Sequence, residues 1–209
     1  DFGADRTMAD AYQGVQSSKL GLRGIRSSLR NLPQMAVQIC ALMRAAAKGP
    51  LRVMFPMVTD IEDWDSAMQV VDHCRRKLTE RGVEFEPDVP FGVMLSVPAA
   101  CLTAEDFTAH GCRFFVIGTN DLTQYTHAVD RDISIAERYY RPASHAMKKL
   151  IRMVVEAARE GGIPVTICGS AVGNPANTLQ YLQLGLRSFS VSPQNLIEVK
   201  KALMNAKIK

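Results

Sequence analysis

The chain has 209 residues, 47% of them hydrophobic, enough to bury a sizeable core as one large domain or a lobe of one. Its net charge of +4 is modest and dispersed. The basic runs Arg75-Arg76-Lys77 and Lys148-Lys149 are short and lack interleaved aromatics, so they read as solvated helix faces and no nucleic-acid partner is expected.

In chain order, strands and helices alternate. Asp1-Phe2-Gly3-Ala4-Asp5 reads as a strand-end loop rather than a natural beginning, so the chain is expected to be a fragment. Gly21-Leu22-Arg23-Gly24-Ile25-Arg26 sets two arginines in a glycine loop. A helix is predicted over Leu32–Ala47, with Pro33 tolerated in its first turn and Gly49-Pro50 stopping it. Leu51–Val58 is a predicted strand carrying Arg52, and Thr59-Asp60 caps a surface helix over Ile61–Glu80. Phe91–Val97 is the second strand, followed by a helix over Ala99–Ala109. Arg113–Ile117, β-branched and aromatic, is the third. A helix over Ala146–Glu160 ends before Gly161-Gly162, and Val165–Cys168 is the fourth strand. A helix over Pro175–Leu184, a strand over Ser188–Val191 and a final helix over Pro193–Asn205 complete the pattern. Met54, Met57 and Met94 are expected to fill the core, and Trp64 to pack inside or at an interface.

Five strands separated by helices predict an α/β fold with a parallel sheet and right-handed crossovers. Either an open doubly wound sheet or part of a (β/α)₈ barrel fits. A barrel would need its first strands upstream of Asp1. There is no Gly-x-Gly-x-x-Gly fingerprint and no Walker-type loop, which weakens dinucleotide and nucleoside-triphosphate readings.

In parallel α/β folds ligands bind at the carboxyl ends of the strands, and here those ends are polar. The second strand ends in Ser96-Val97-Pro98, the third in Gly118-Thr119-Asn120-Asp121 and the fourth in Cys168-Gly169-Ser170. Asp121 suits a divalent cation, and Asn120 with the following loop amides suits an anion. Ten residues past Asn120 in the sequence, Asp130-Arg131 adds a guanidinium for a carboxylate or phosphate. Each also has a plainer reading, Arg52 as an internally paired strand arginine, Asp121 as a turn cap and Cys168 as a small buried hydrophobe, but function is favoured for all three. His127 and His145 read as structural or rim residues.

The five cysteines are odd in number and lack zinc-ligand spacing, which favours a reducing cytosol over a disulfide scaffold. No apolar run approaches the ~20 residues of a membrane span, so no membrane insertion is expected.

These blocks resemble a known family. Gly21-Leu22-Arg23, Leu51-Arg52-Val53-Met54-Phe55-Pro56-Met57, Gly92-Val93-Met94, Gly118 to Thr126, Ala128-Val129-Asp130-Arg131 and Cys168-Gly169 occur in the order found in enzyme I. That is the phosphoenolpyruvate-protein phosphotransferase of the bacterial sugar phosphotransferase system. More distantly, the chain is similar to pyruvate phosphate dikinase and phosphoenolpyruvate synthase. The resemblance covers essentially the whole chain as the C-terminal phosphoenolpyruvate-binding domain. It implies a (β/α)₈ barrel of the phosphoenolpyruvate/pyruvate class, present as its C-terminal five strands, in a cytoplasmic homodimer.

By motif position, the resemblance assigns Arg23, Arg52 and Arg131 to substrate phosphate or carboxylate and Asn120 to phosphate. Asp121 would ligate Mg²⁺, and Cys168 would protonate the pyruvate enolate. The phosphoryl group would pass to a histidine on a separate N-terminal domain, and then to a histidine phosphocarrier protein. Two departures stand out. The family usually has Glu-Thr-Pro where this chain has Ser96-Val97-Pro98, and Cys-Gly-Glu where it has Cys168-Gly169-Ser170. Ser96 and Ser170 thus remove acidic groups, which admits an alternative: a catalytically impaired paralogue acting as a regulatory or anion-binding module.

Overall fold

The computed structural model describes residues 19–206. The opening Asp1–Asp5 segment, expected to be a strand-end loop, lies outside the described residues. Backbone contacts divide the chain into two compact units, Asp1–Gly92 and Val93–Lys209. The strands of the described residues lie side by side in chain order.

The first unit holds α1 (Ile25–Arg30), α2 (Leu32–Ala46), β1 (Val53–Phe55) and α3 (Ile61–Glu80). Helix α3 spans the predicted residues because its amino end is chemically marked. The Asp60 carboxylate accepts from the amides of Glu62 and Asp63 at 3.1 and 3.2 Å, and Asp63 accepts in return from the Thr59 amide at 2.9 Å. Trp64, Ala67, Val71 and Cys74 form its buried stripe. Trp64 packs inside, its ring meeting Phe55 edge-on at 6.1 Å, while Phe91 stacks on Phe55 at 5.7 Å.

Strand β1 is shorter than the Leu51–Val58 expectation. Pro56 has no N–H to give to a ladder, and Met57 takes the left-handed conformation (φ 62°), which turns the chain out of the strand. At the strand's other end, Arg52 precedes β1 instead of lying within it, and it is exposed. Met54 is 39% exposed and does not fill the core, because alternation along β1 buries its neighbours Val53 and Phe55. Met57 is buried at 2% exposure, as expected. Helix α1 was not predicted; it occupies the end of the glycine loop.

The second unit carries most of the sheet. Strand β2 (Phe91–Leu95) enters it at Val93, and β3 (Phe115–Gly118), β4 (Val165–Cys168) and β5 (Ser188–Phe189) follow, all parallel. Strand β2 stops short of the predicted Val97, and β5 is two residues against the four expected. The Ala99–Ala109 helix is in fact two, α4 (Pro98–Leu102) and α5 (Ala104–Ala109). They are separated at Thr103, whose φ of −120° breaks the ladder.

The larger difference follows β3. The segment read as a loop from Gly118 is instead α6 (Thr119–His127), which starts directly at the strand end. Beyond it come a 3₁₀ turn (Ser134–Tyr139), α7 (His145–Glu160), α8 (Pro175–Gln183) and α9 (Leu196–Met204). Helix α9 starts three residues later than expected because Pro193–Asn195 is a 3₁₀ turn. Phe107, Phe115, Ile117, Leu122, Met147, Ile151 and Ile167 make the core of this unit, all fully buried. Met94 is only half-buried. Among the described residues no helix is long and apolar enough to cross a membrane.

Candidate functional site

The register between β3 and β4 builds the candidate site. Gly118 pairs with Cys168, so the residues just past each strand, Thr119-Asn120 and Gly169-Ser170, emerge side by side. Thr119, fully buried, donates its hydroxyl to the Cys168 carbonyl at 2.8 Å and ties the two strand ends together. The Asn120 side-chain oxygen then accepts twice from Ser170, at 2.9 Å from the amide and 2.8 Å from the hydroxyl.

Gly169 makes this crossing possible. Its φ is +111°, and an added Cβ would lie 2.2 Å from Thr119 Oγ1 and 2.9 Å from Asn120 Oδ1. No larger residue fits without pushing those groups apart.

Helix α6 presents the next side chains. Asp121 stands in its first turn, where a carboxylate is favoured by the helix dipole. The helix ends at Ala128 in the left-handed conformation (φ 51°), which reverses the chain and buries Val129. The reversal brings Arg131 back to the helix start. Its amide donates to Gln124 Oε1 at 3.2 Å, and its guanidinium meets Asp121 Oδ1 at 3.3 Å. That pair is partly exposed, with side-chain exposures of 29% for Arg131 and 15% for Asp121, so an anion can compete for the guanidinium.

One group at the site was not read from the sequence as a neighbour. The Tyr140 hydroxyl donates to the Asn120 carbonyl at 3.2 Å. Burial raises its phenol above the ordinary range, and Thr123, Arg131, Asp121 and Ser170 all act on it from close by. Ser96, just past β2, is 1% exposed, and its hydroxyl has no hydrogen-bond partner among the described residues. A paired aromatic before Pro142 in a polar stretch was the available sequence signal for Tyr140.

Cys168 is half-buried at the end of β4, and burial raises its thiol above the usual cysteine range, so it is protonated at neutral pH. The second unit thus brings together Asn120, Asp121, Arg131 and Cys168. His127 hydrogen-bonds back along α6 to the Thr123 carbonyl at 3.0 Å, and His145 begins α7.

Arg23 and Arg52 belong to the first unit, where β1 separates them. Ile25 donates its amide to the Pro56 carbonyl at 2.9 Å, and Gly24 lies so close that a Cβ there would be 2.8 Å from that oxygen. Arg23, 7% exposed, therefore sits by the carboxyl end of β1. Arg26 is used in fixing this loop, donating to Thr59 Oγ1 at 2.6 Å and to the Gly21 carbonyl at 3.2 Å. Arg52 lies before the amino end of β1, four residues ahead of Pro56, or about 13 Å of extended chain.

Comparisons with known proteins identify the family and the fold. The family described as PEP-utilising enzyme, PEP-binding domain, matches residues 1–208. A phosphoenolpyruvate-protein phosphotransferase from Cupriavidus necator is 35% identical over 209 residues, covering 99% of this chain and 36% of that protein. One from Haemophilus influenzae is 36% identical over 206 residues, covering 98% of this chain and 36% of that protein. The chain thus spans about a third of the length of these curated relatives.

Among solved structures, Haloferax volcanii malate synthase, in a ternary complex with pyruvate and acetyl-CoA, aligns with a TM-score of 0.65 at 16% identity. That alignment covers 87% of this chain and 50% of the other. A citrate lyase from Burkholderia xenovorans aligns at 0.57 and 17% identity, covering 80% of this chain and 53% of the other. These likenesses show the fold, the α/β barrel of the phosphoenolpyruvate/pyruvate class, with a five-stranded sheet among the described residues. With a match along nearly its whole length, the chain belongs to the PEP-utilising enzymes, as a PEP-binding domain.

Proposed function

We propose that this chain is the phosphoenolpyruvate-binding domain of a phosphoenolpyruvate-protein phosphotransferase. The observation that carries this reading is the convergence of Asn120, Asp121, Arg131 and Cys168 at the adjoining ends of β3 and β4. Arg131 and Asn120 hold the substrate phosphate. With its oxygen fixed by two donors from Ser170, the Asn120 amide keeps its N–H₂ end for an anion. Arg23 and Arg52 are proposed to bind phosphate or carboxylate on the strength of the sequence blocks that contain them.

Mg²⁺ fits the donors only if the substrate completes the site. Among the described residues no cluster of three or more His, Cys, Asp or Glu side chains is placed to hold a metal. Asp121 and the substrate's phosphate oxygens, with water, meet the needs of an ion that is bound through one or two carboxylates. The buried Ser96 hydroxyl is a neutral oxygen that suits a water in such a shell. Bound there, Mg²⁺ would neutralise phosphate charge.

The chemistry asks little else of the protein. Phosphoryl transfer needs alignment and charge compensation, which the arginines provide. As the phosphorus–oxygen bond breaks, its electrons remain on the enolate of pyruvate. The Cys168 thiol, kept protonated by burial, delivers its proton to the enolate carbon, giving pyruvate and a thiolate. The acceptor is a histidine on another domain, which passes the group to a histidine phosphocarrier protein. In this reading the protein is a cytoplasmic homodimer serving sugar uptake.

Calorimetry of this chain with phosphoenolpyruvate, with and without Mg²⁺, tests the proposal. Metal-dependent binding that Asp121→Ala removes supports it. Absence of binding, or binding indifferent to metal, overturns it and favours a regulatory or anion-binding module, in keeping with Ser96 and Ser170.

A further inference from the structure

Helices α2 and α3 of the first unit bring two thiols together away from any strand end. Cys74 is fully buried on the inward stripe of α3, and its thiol donates to the Ala36 carbonyl of α2 at 3.4 Å. In the α-helical ladder that carbonyl belongs to the turn beneath Cys40, four residues on, and helical side chains lean back over that turn. The Cys40 side chain is accordingly placed beside Cys74, close enough to act on its thiol. Their solvent access differs. Cys40 is half-buried and lines a groove of about 1010 Å³ between the helices, with Val37, Ala41, Arg44, His73 and Lys77 around it.

The geometry points to a reversible dithiol–disulfide site formed by Cys40 and Cys74, with Cys40 as the entry thiol and Cys74 as the resolving one. The oxidant is a small-molecule disulfide of the glutathione type, which the groove admits and whose carboxylates its cationic rim favours. Cys40, as thiolate, attacks one sulfur of that disulfide; the sulfur–sulfur bond breaks and one small thiolate leaves, taking up a proton. The Cys74 sulfur then attacks the Cys40 sulfur of the mixed disulfide and expels the second small thiolate, which is also protonated. Two protein thiols have lost two electrons and two protons, and one external disulfide has become two thiols. The product is a staple between α2 and α3. Burial and the neighbouring Cys40 raise the Cys74 thiol, so its attack is slow unless it is held beside its target, as it is here.

The experiment exposes the folded chain to graded mixtures of oxidised and reduced glutathione, quenches in acid, alkylates and maps tryptic peptides. The expected product is a peptide pair joined through Cys40 and Cys74, reversed by reduced glutathione, while the buried Cys101 and Cys112 are recovered as thiols. Cys74→Ser should trap glutathione on Cys40, and Cys40→Ser should leave Cys74 unmodified. Recovery of Cys40 and Cys74 as thiols in fully oxidised glutathione overturns the proposal. So does glutathione on Cys74 in the Cys40→Ser chain. The unsubstituted chain decides the pairing even if a variant folds poorly, and circular dichroism identifies such a variant.

Discussion

Asn120 and Ser170 lie fifty positions apart in the chain, yet one side-chain oxygen of Asn120 accepts both the amide and the hydroxyl of Ser170, at 2.9 and 2.8 Å. Two donors on one face leave no ambiguity about which end of the Asn120 amide is oxygen. Where the family usually carries a glutamate after Cys-Gly, this chain has a residue that orients the amide proposed to face the phosphate. Ser170→Ala keeps the backbone donor and loses the hydroxyl, a change of about 0.5–1.5 kcal/mol. Calorimetric affinity for phosphoenolpyruvate should therefore weaken roughly two- to tenfold, with a larger loss in Asn120→Ala. Unchanged affinity in Ser170→Ala would show that the hydroxyl does not position Asn120.

Gly169 offers a prediction about stability. Its φ is +111°, and an alanine methyl carbon there would stand only 2.2 Å from Thr119 Oγ1. Gly169→Ala must therefore both strain its backbone and break the Thr119 to Cys168 tie. Backbone strain of this kind costs roughly 1–3 kcal/mol before the clash is counted. The urea midpoint of Gly169→Ala should fall by the equivalent of at least about 2 kcal/mol. A midpoint equal to the parent chain's would mean the strand ends cross with more room than the distances allow.

The parts of this fold that were legible in sequence are those with local chemical markers. Asp60 announces α3, and the apolar residues Val165 and Ile167 mark β4 before Gly169. Elements held by distant contacts were harder to see. Helix α6 is written in Thr, Asn and Asp, residues with loop preferences. It forms because Leu122 is buried and Asn120 is tied to Ser170. The short β1 has the same explanation in reverse, since Pro56 and the left-handed Met57 override a run that reads as continuous strand. Asp121 and Arg131 were legible as candidates, but the left-handed Ala128 that folds one onto the other was not. Tyr140 was missed because its contacts depend on the return of the chain after the 3₁₀ turn.

Buried thiols predict how stability responds to alkali. Burial pushes Cys101 up to about 12. It also pushes Cys112 up to about 11, against the opposing hydrogen bonds of Phe114 and Val93. In the unfolded chain such thiols titrate near ~8.5. Above that pH the unfolded state has released protons that the folded state still holds, so stability falls as pH rises. The contribution is fully present below ~8.5 and is lost progressively toward pH 11–12. Urea midpoints should decline from about pH 8.5 to about pH 10.5, and Cys101→Ala should flatten part of the decline. A slope unaffected by Cys101→Ala would assign the loss to other groups.

Cys168 differs from those two thiols in being half-buried, so reagents can reach it while burial still raises it above the usual cysteine value of 9.0. A proton donor to carbon must hold its proton at neutral pH, and this direction supplies that condition. Alkylation of Cys168 by iodoacetamide, followed by mass spectrometry across pH, should have its rate midpoint above 9.0. In a longer protein carrying an acceptor histidine, Cys168→Ala should slow pyruvate formation on the order of 10²–10⁴-fold. Affinity for phosphoenolpyruvate should stay nearly unchanged, because in the proposed mechanism the thiol acts after the phosphorus–oxygen bond has broken. A midpoint below 9.0 would mean that something at the end of β4 outweighs burial and stabilises the thiolate. Turnover unaffected by Cys168→Ala would move the proton donor elsewhere, with Tyr140 the next group to test, since its hydroxyl already reaches the Asn120 carbonyl.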